Sequence, residues 1–342
     1  MEAGQDQVRA TVSLRVRQRE IAHAANVSIS TVSRVLNNVD GISQHLRERV
    51  LKAAANLGYQ PEGETLKSIH LFVNASLADS PFYHTIMMGI EAECRRHDIL
   101  FHYMVVEQNP DSRAYALEKV MQHHTDGMIF VAQDDRELLV QALNVNFRIV
   151  LVNAEHEGLP LDTFLPDNQV GPLLAMRHLI ERGHQRILHV NSLKRRTLRR
   201  RYEAYCTALV EAGIAYDPQL FLAINEPFSM PSAYERMKAL LAEQSPTFTA
   251  VFCANDLSAF GVARALQEAG LRIPQDISLV GYDDLPMSAF MSPPLTTVAV
   301  DCQVLGMMAV QRLMERAVTS NLVPIRVELF SRLVERQSVA TI

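Results

Sequence analysis

From Ile69 to the C-terminus one pattern recurs: a short apolar run, a polar break, then a stretch with the 3.6-residue apolar period of a helix. The runs fall at 69–73, 101–106, 127–131, 149–152, 187–190, 250–253 and 277–280. The amphipathic stretches fall at 83–97, 112–123, 170–182, 200–212, 233–243 and 257–269. Strands alternating with helices predict parallel sheets covered by helices on both faces. The segment is long for one sheet, so two lobes are expected. Ligands of such folds bind outside the carboxyl ends of the strands, where the residues that matter should collect.

The chain before Pro61 follows another rule. Residues 18–37 read QREIAHAANVSISTVSRVLN. Residues 19–25 predict a short helix with Ile21, Ala22 and Ala25 inward. Asn26 tolerates the positive φ of a tight turn. Ser28 or Ser30 can cap the next helix, which places Val32, Val35 and Leu36 on its inner face. Asn37 to Gly41 breaks the pattern. Ser43 then opens a third helix with Leu46, Val50, Ala53, Ala54 and Leu57 on one side, ended by Gly58. This is a helix-turn-helix within a three-helix unit. In that motif the start of the second helix meets base edges in the major groove. The DNA-reading candidates are therefore Ser28, Ile29, Ser30, Thr31, Ser33, Arg34 and Asn37. The hydroxyls can reach bases or phosphates, Ile29 suits a thymine methyl, and Arg34 can fork onto guanine or hold a phosphate.

Charge divides the chain the same way. Between Val8 and Gln60 eight basic residues stand against three acids, a balance of +5. The whole chain is at −5, so the remainder carries −10. A basic head on an acidic body points to an anionic partner for the head alone. Hydrophobic residues at 48% suffice for a large core and exclude global disorder. No apolar run approaches the ~18 residues that span a bilayer, and residues 1–10 lack an apolar leader core. The four cysteines are scattered, with no Cys/His cluster at metal spacing. A cytoplasmic protein without metal or cofactor is expected.

NVSISTVSRVLNN and RERVLKAAANLGYQP resemble the amino-terminal domain of the LacI/GalR family of transcriptional regulators. Asn26 stands where that family usually has glycine. The likeness continues through Pro81-Phe82-Tyr83, Asp126-Gly127-Met128-Ile129, the Gly183–Ile187 stretch GHQRI, Arg201 with Tyr202, and Asn255-Asp256. It is strongest in PQDISLVGYDD, residues 274–284, and ends with PPLTTV, residues 293–298.

The resemblance implies an α/β body of periplasmic-binding-protein type, with two Rossmann-like lobes joined by three crossovers around a small-molecule cleft. The expected divisions are an arm at 1–17, the helix-turn-helix domain at 18–60, a shortened hinge at 61–68 and an effector and dimerisation domain at 69–342. Lobe 1 would take about 69–160 and 299–326, and lobe 2 about 161–298 and 327–342. Matching residue by residue gives Phe82, Tyr83, Arg195, Thr197, Arg201, Phe228, Asn255 and Asp283 as effector contacts. Aromatic faces would lie against a sugar or base ring, and the polar groups would meet hydroxyls. Asp256 and Asp284 are expected to hold loops or cap helices, and His184 to sit at the surface or in a turn.

Two features set this chain apart. Six of the eight residues from Lys194 to Arg201 are basic. Facing the cleft they would select an anionic effector, such as a sugar phosphate or sugar acid; facing outward they would only solvate the surface. Family members also follow Tyr-x-Pro with a segment able to form a short helix on DNA, whose leucine wedges into the minor groove. Here Tyr59-Gln60-Pro61 leads through Glu62, Gly63 and Glu64 directly to Leu66 and the first strand, too short for that helix.

The expected function is a ligand-responsive repressor that binds a pseudo-palindromic operator as a homodimer, with the ligand shifting a two-state equilibrium. A sugar-metabolising enzyme would use the same βα body, but the sequence has no P-loop, GxGxxG or GxSxG. A periplasmic binding protein would share the lobes but not the basic head.

Overall fold

A computed structural model describes residues 18–36, 41–57, 66–78, 80–107, 109–123, 126–145, 148–224, 228–243, 245–319 and 322–342. The arm at 1–17, the candidate Asn37 and hinge residues 61–65 lie outside them. The chain divides into two compact units, one of Met1–Thr65 with Glu315–Leu322, the other of Leu66–Met314 with Val323–Ile342.

In the head, α1 (18–24), α2 (Ile29–Leu36) and α3 (Gln44–Asn56) enclose a small core of Ile21, Ala22, Ala25, Val32, Val35, Val50, Ala53 and Ala54. Asn26 adopts φ +49° between α1 and α2, the turn its side chain tolerates. Ser28, not Ser30, is the cap: its Oγ accepts from Thr31 N at 3.0 Å. Leu57, expected on the inner face of α3, is half exposed because the helix stops at Asn56.

The body holds two parallel sheets. The first is six-stranded, in the order β11-β5-β4-β3-β1-β2. It is built from β1 (Ser68–Asn74), β2 (Leu100–Val106), β3 (Gly127–Val131), β4 (Ile149–Val152), β5 (Asp162–Pro166) and β11 (Arg326–Leu329). Between the first five run α4 (Pro81–Arg96), α5 (Pro110–His123) and α6 (Arg136–Val145). The second sheet has the order β7-β6-β8-β9, from β6 (Ile187–Asn191), β7 (Phe221–Ala223), β8 (Ala250–Cys253) and β9 (Ser278–Val280). Its helices are α7 (Val170–Glu181), α8 (Arg196–Glu211), α9 (Met230–Glu243) and α10 (Asp256–Glu268). β10 (Thr297–Ala299) pairs antiparallel with β12 (Arg332–Val334), and single bridges join Thr296 to Val280 and Ala299 to Asp283. α11 (Cys302–Val318) returns to lobe 1, where Gln311 donates to Glu93 of α4 at 2.8 Å.

Sheet membership fixes the crossovers. The first follows Pro166 rather than residue 160, and the third follows Leu329 rather than 326. The second lies between Ala299 and Cys302. β5 escapes an apolar-run reading because it begins with buried Asp162, whose Oδ1 lies 3.0 Å from Arg312 Nε and accepts from Ile325 N at 2.8 Å. β11, with Arg326 and Glu328, is equally polar. His184 is buried rather than superficial, with ring nitrogens 2.9 Å from Thr249 Oγ1 and 3.1 Å from Ala340 O. Among the described residues no helix is long and apolar enough to cross a membrane, and no cluster could hold a metal ion.

The segment entering β1 is fastened to the body. Lys67 N and Ser68 N both donate to Asp126 Oδ2, at 2.8 and 3.0 Å. Leu66 is buried, and its side chain and that of Leu313 crowd Gly127.

Candidate ligand cavity and nucleic-acid interface

The tip of α2 is open. Ile29, Ser30 and Arg34 are exposed, while Thr31 and Ser33 are half-buried. Ser28 Oγ lies 2.8 Å from Ser30 Oγ and 2.7 Å from Thr31 Oγ1, so the three hydroxyls form one cluster around the cap. The arrangement presents an apolar side chain, a hydroxyl cluster and, one turn on, a guanidinium.

In the body, the eight residues singled out in sequence converge. Phe82, Tyr83, Arg195, Thr197, Arg201, Phe228, Asn255 and Asp283 all line one cavity of about 440 Å³ between the lobes. They come from the start of α4, the start of α8, the approach to α9, the turn from β8 into α10, and the end of β9. All of these are carboxyl ends of parallel strands, or the helix starts that follow them.

Phe82 and Tyr83 meet edge to face, with ring centroids 5.1 Å apart. Asn255 caps α10, and its Oδ1 accepts from Ser258 N at 2.8 Å, so its amide NH₂ is what it can offer a ligand. Arg201 is buried. Its Nε donates to Asn168 Oδ1 at 2.8 Å, its Nη1 donates to Ala254 O, and its guanidinium stacks 3.7 Å from the Tyr282 ring centroid. Asp283 sits at φ +120°, a strained conformation for a residue with a side chain. Its carboxylate stands 3.8 Å from Arg201 Nη1. Burial pushes its pKa well above the usual carboxylate range, Arg201 opposes the shift, and Asp256 adds to it. A buried acceptor held this far from its partner suits ligand hydroxyls, which replace lost water.

Asp256 and Asp284 hold loops. Asp256 is fully buried and accepts from Leu285 N, Ser288 Oγ and Thr297 Oγ1 at 2.8, 2.6 and 2.6 Å. Asp284 accepts from Arg336 at 2.6 Å.

The basic cluster divides: Lys194 and Arg199 are exposed, Arg195 and Arg201 face the cavity, and Arg196 and Arg200 bridge to lobe 1. Only Arg195 and Arg201 line the cavity. Arg196 and Arg200 reach across to buried Glu155 of lobe 1 at 3.2 and 2.9 Å. Arg196 also pairs with Glu157, and Arg200 with Glu328 at 3.2 Å. Arg199 donates to Leu193 O at 3.3 Å. The acids that pair with the cluster lie in lobe 1, at 134, 155, 157 and 328, distant from it in sequence.

Asn153 and Asp134 were not singled out in sequence. Asn153 follows β4 at φ +50° and donates from Nδ2 to the Tyr83 hydroxyl at 3.0 Å. Its buried Oδ1 has no hydrogen-bond partner among the described residues, and the residue lines the cavity. An asparagine directly after an apolar strand was the available signal. Asp134 accepts from Arg195 Nε at 2.6 Å, a pairing no local pattern announces.

The comparisons agree with this arrangement. A family model described as bacterial regulatory proteins, lacI family, matches residues 17–62, and one described as a periplasmic binding protein-like domain matches residues 176–339. The ribose operon repressor of Haemophilus influenzae is 32% identical over 313 residues, which cover 89% of this chain and 92% of that protein. Among solved structures, a complex of the transcriptional regulator CelR with cellobiose superposes with a TM-score of 0.73 at 28% identity, covering 94% of this chain and 99% of that one. A lac repressor dimer bound to operator and the anti-inducer ONPF gives 0.71 at 26% identity, covering 94% and 98%. A helix-turn-helix head on a two-lobed ligand-binding body defines a transcriptional regulator under small-molecule control, not an enzyme. The chain belongs to the lacI family of bacterial regulatory proteins.

Proposed function

We propose that this protein is a cytoplasmic repressor that binds a pseudo-palindromic operator as a homodimer and responds to a sugar or sugar-like effector held between its lobes. The observation that carries the effector part is the convergence of eight side chains, from separate strand ends, on one cavity. Phe82 and Phe228 give apolar faces for a ring, while Asn255, Thr197, Arg201 and Asp283 meet its hydroxyls. Ile29, Ser30, Thr31 and Arg34 read bases, with Ser28, Ser33 and Asn37 assigned to DNA alongside them. Lys and Arg contacts to phosphate supply affinity that weakens with salt.

The second copy of the chain is supported by β2. It forms an edge of the six-stranded sheet, yet Leu100, Tyr103 and Val105 on it are exposed, as are Met88 on α4 and Tyr115 on α5. Exposed apolar side chains along a sheet edge favour pairing with a second copy.

Calorimetry on Asp283→Ala and Arg201→Ala tests the effector reading. Both variants should lose at least about tenfold in effector affinity, about 1.4 kcal/mol, while keeping operator binding. Unchanged effector affinity in both would remove these residues from the site.

A further inference from the structure

Arg195 precedes α8 in lobe 2, yet each of its three guanidinium nitrogens bonds to lobe 1. Nε donates to Asp134 Oδ2 at 2.6 Å, Nη1 to the Tyr83 hydroxyl at 2.6 Å, and Nη2 to the backbone carbonyl of Asn153 at 2.7 Å. Its side chain is 12% exposed and that of Asp134 is 30% exposed, so solvent screens the pair weakly from one side only. Burial alone would weaken the charge on Arg195, but Tyr83 and Asp134 outweigh it and raise its pKa.

Of the two arginines described as lining the cavity, Arg195 has a carboxylate within 3 Å, while Arg201 is engaged by Asn168, Ala254 and the Tyr282 ring and stands 3.8 Å from Asp283. An incoming anion would meet one guanidinium already matched to an acid and another whose Nε and Nη1 already donate to Asn168 and Ala254. Buried anions without a free cationic partner are strongly disfavoured. Hydroxyl donors suffer no such penalty, and the unpartnered Asn153 Oδ1 and the Asp283 carboxyl can both accept from them.

We propose that Asp134 is a specificity-determining residue of this cavity: by holding and matching the charge of Arg195, it directs the site to uncharged polyhydroxyl ligands over their phosphate esters and sugar acids. Asp134 acts through Arg195 and is a positioning residue. The idea rests on the effector reading above and adds the effector's charge class.

The test uses the full chain as wild type, Asp134→Asn and Asp134→Glu. Asp134→Asn is isosteric at a partly exposed site and should fold. Calorimetry pairs D-ribose with D-ribose 5-phosphate, and D-glucose with D-gluconate. Wild type should prefer the uncharged member of whichever pair it binds by at least tenfold. Asp134→Asn should narrow that ratio by tenfold or more, and Asp134→Glu should restore it. An anionic member bound by wild type as tightly as its uncharged counterpart would overturn the proposal, as would an unchanged ratio in Asp134→Asn. Binding of none of the four ligands would overturn the proposal together with the effector reading it rests on, whereas binding with an unchanged ratio would overturn the role of Asp134 alone.

Discussion

Leu66 shows how one residue can change the meaning of a segment. By sequence it is the one leucine near the shortened hinge that could serve as a minor-groove wedge. In the structure it is buried in the body beside Leu313 and Gly127. A side chain serving that core cannot also enter DNA without leaving a cavity behind. Leu66→Ala should therefore cost about 2–3 kcal/mol of stability, at the lower end of buried leucine truncations, and leave operator affinity unchanged. Denaturant unfolding together with operator titration checks both halves. A loss of affinity without a loss of stability would return Leu66 to the DNA. Asp256 carries a second residue-level prediction. Burial raises its pKa to about 6, against the three donors and with Asp284 adding to the rise. A carboxyl whose folded pKa is raised binds its proton more tightly folded than unfolded. Its contribution is complete below the unfolded pKa near 4 and is lost as pH climbs through about 6. Wild type should thus lose up to about 3 kcal/mol relative to Asp256→Asn between pH 4 and pH 7. Melting curves across that range should show the difference moving steadily against wild type; a constant difference would contradict the assignment.

At the scale of elements, α2 is the part whose sequence is most nearly a statement of its role. Its cap, its inner face and its exposed tip are set by residues within eleven positions, 26–36, so local chemistry suffices to read them. Arg34→Ala should weaken operator binding by about 1–3 kcal/mol, while Ile29 or Ser30 substitutions should change base preference more than total affinity. Binding of specific and random duplexes like the parent by all three variants would remove α2 from the recognition role. The long strands and helices of the body were legible for a similar reason: runs such as 127–131 and 250–253 are buried on both faces and therefore wholly apolar. β5 and β11 were not, because their polar residues are matched by partners distant in sequence, as Asp162 is by Arg312. The cavity was legible through the resemblance, which supplied positions at strand ends. The partners of the arginine cluster were not, since Glu155 and Asp134 join it only when two lobes meet.

In the whole molecule, DNA binding and ligand binding must be linked. Ligand in the cleft can influence DNA only through a difference in affinity between two states, and the coupling must be reciprocal. The inter-lobe arginines give lobe closure a defined set of contacts, from Asp134 to Glu328, on which such an equilibrium can act. Coupling of this kind is typically about 1–3 kcal/mol, or roughly 5–150-fold. The most direct measurement takes an operator selected from random duplex DNA with the wild-type protein, and the sugar that most raises its melting temperature. Operator affinity is titrated with and without that sugar, and sugar affinity with and without operator. The same factor is expected in both directions, at least fivefold, and should disappear in Asp283→Ala with operator binding intact. Equal operator affinity with and without a sugar that demonstrably fills the cavity would rule out ligand control of DNA binding.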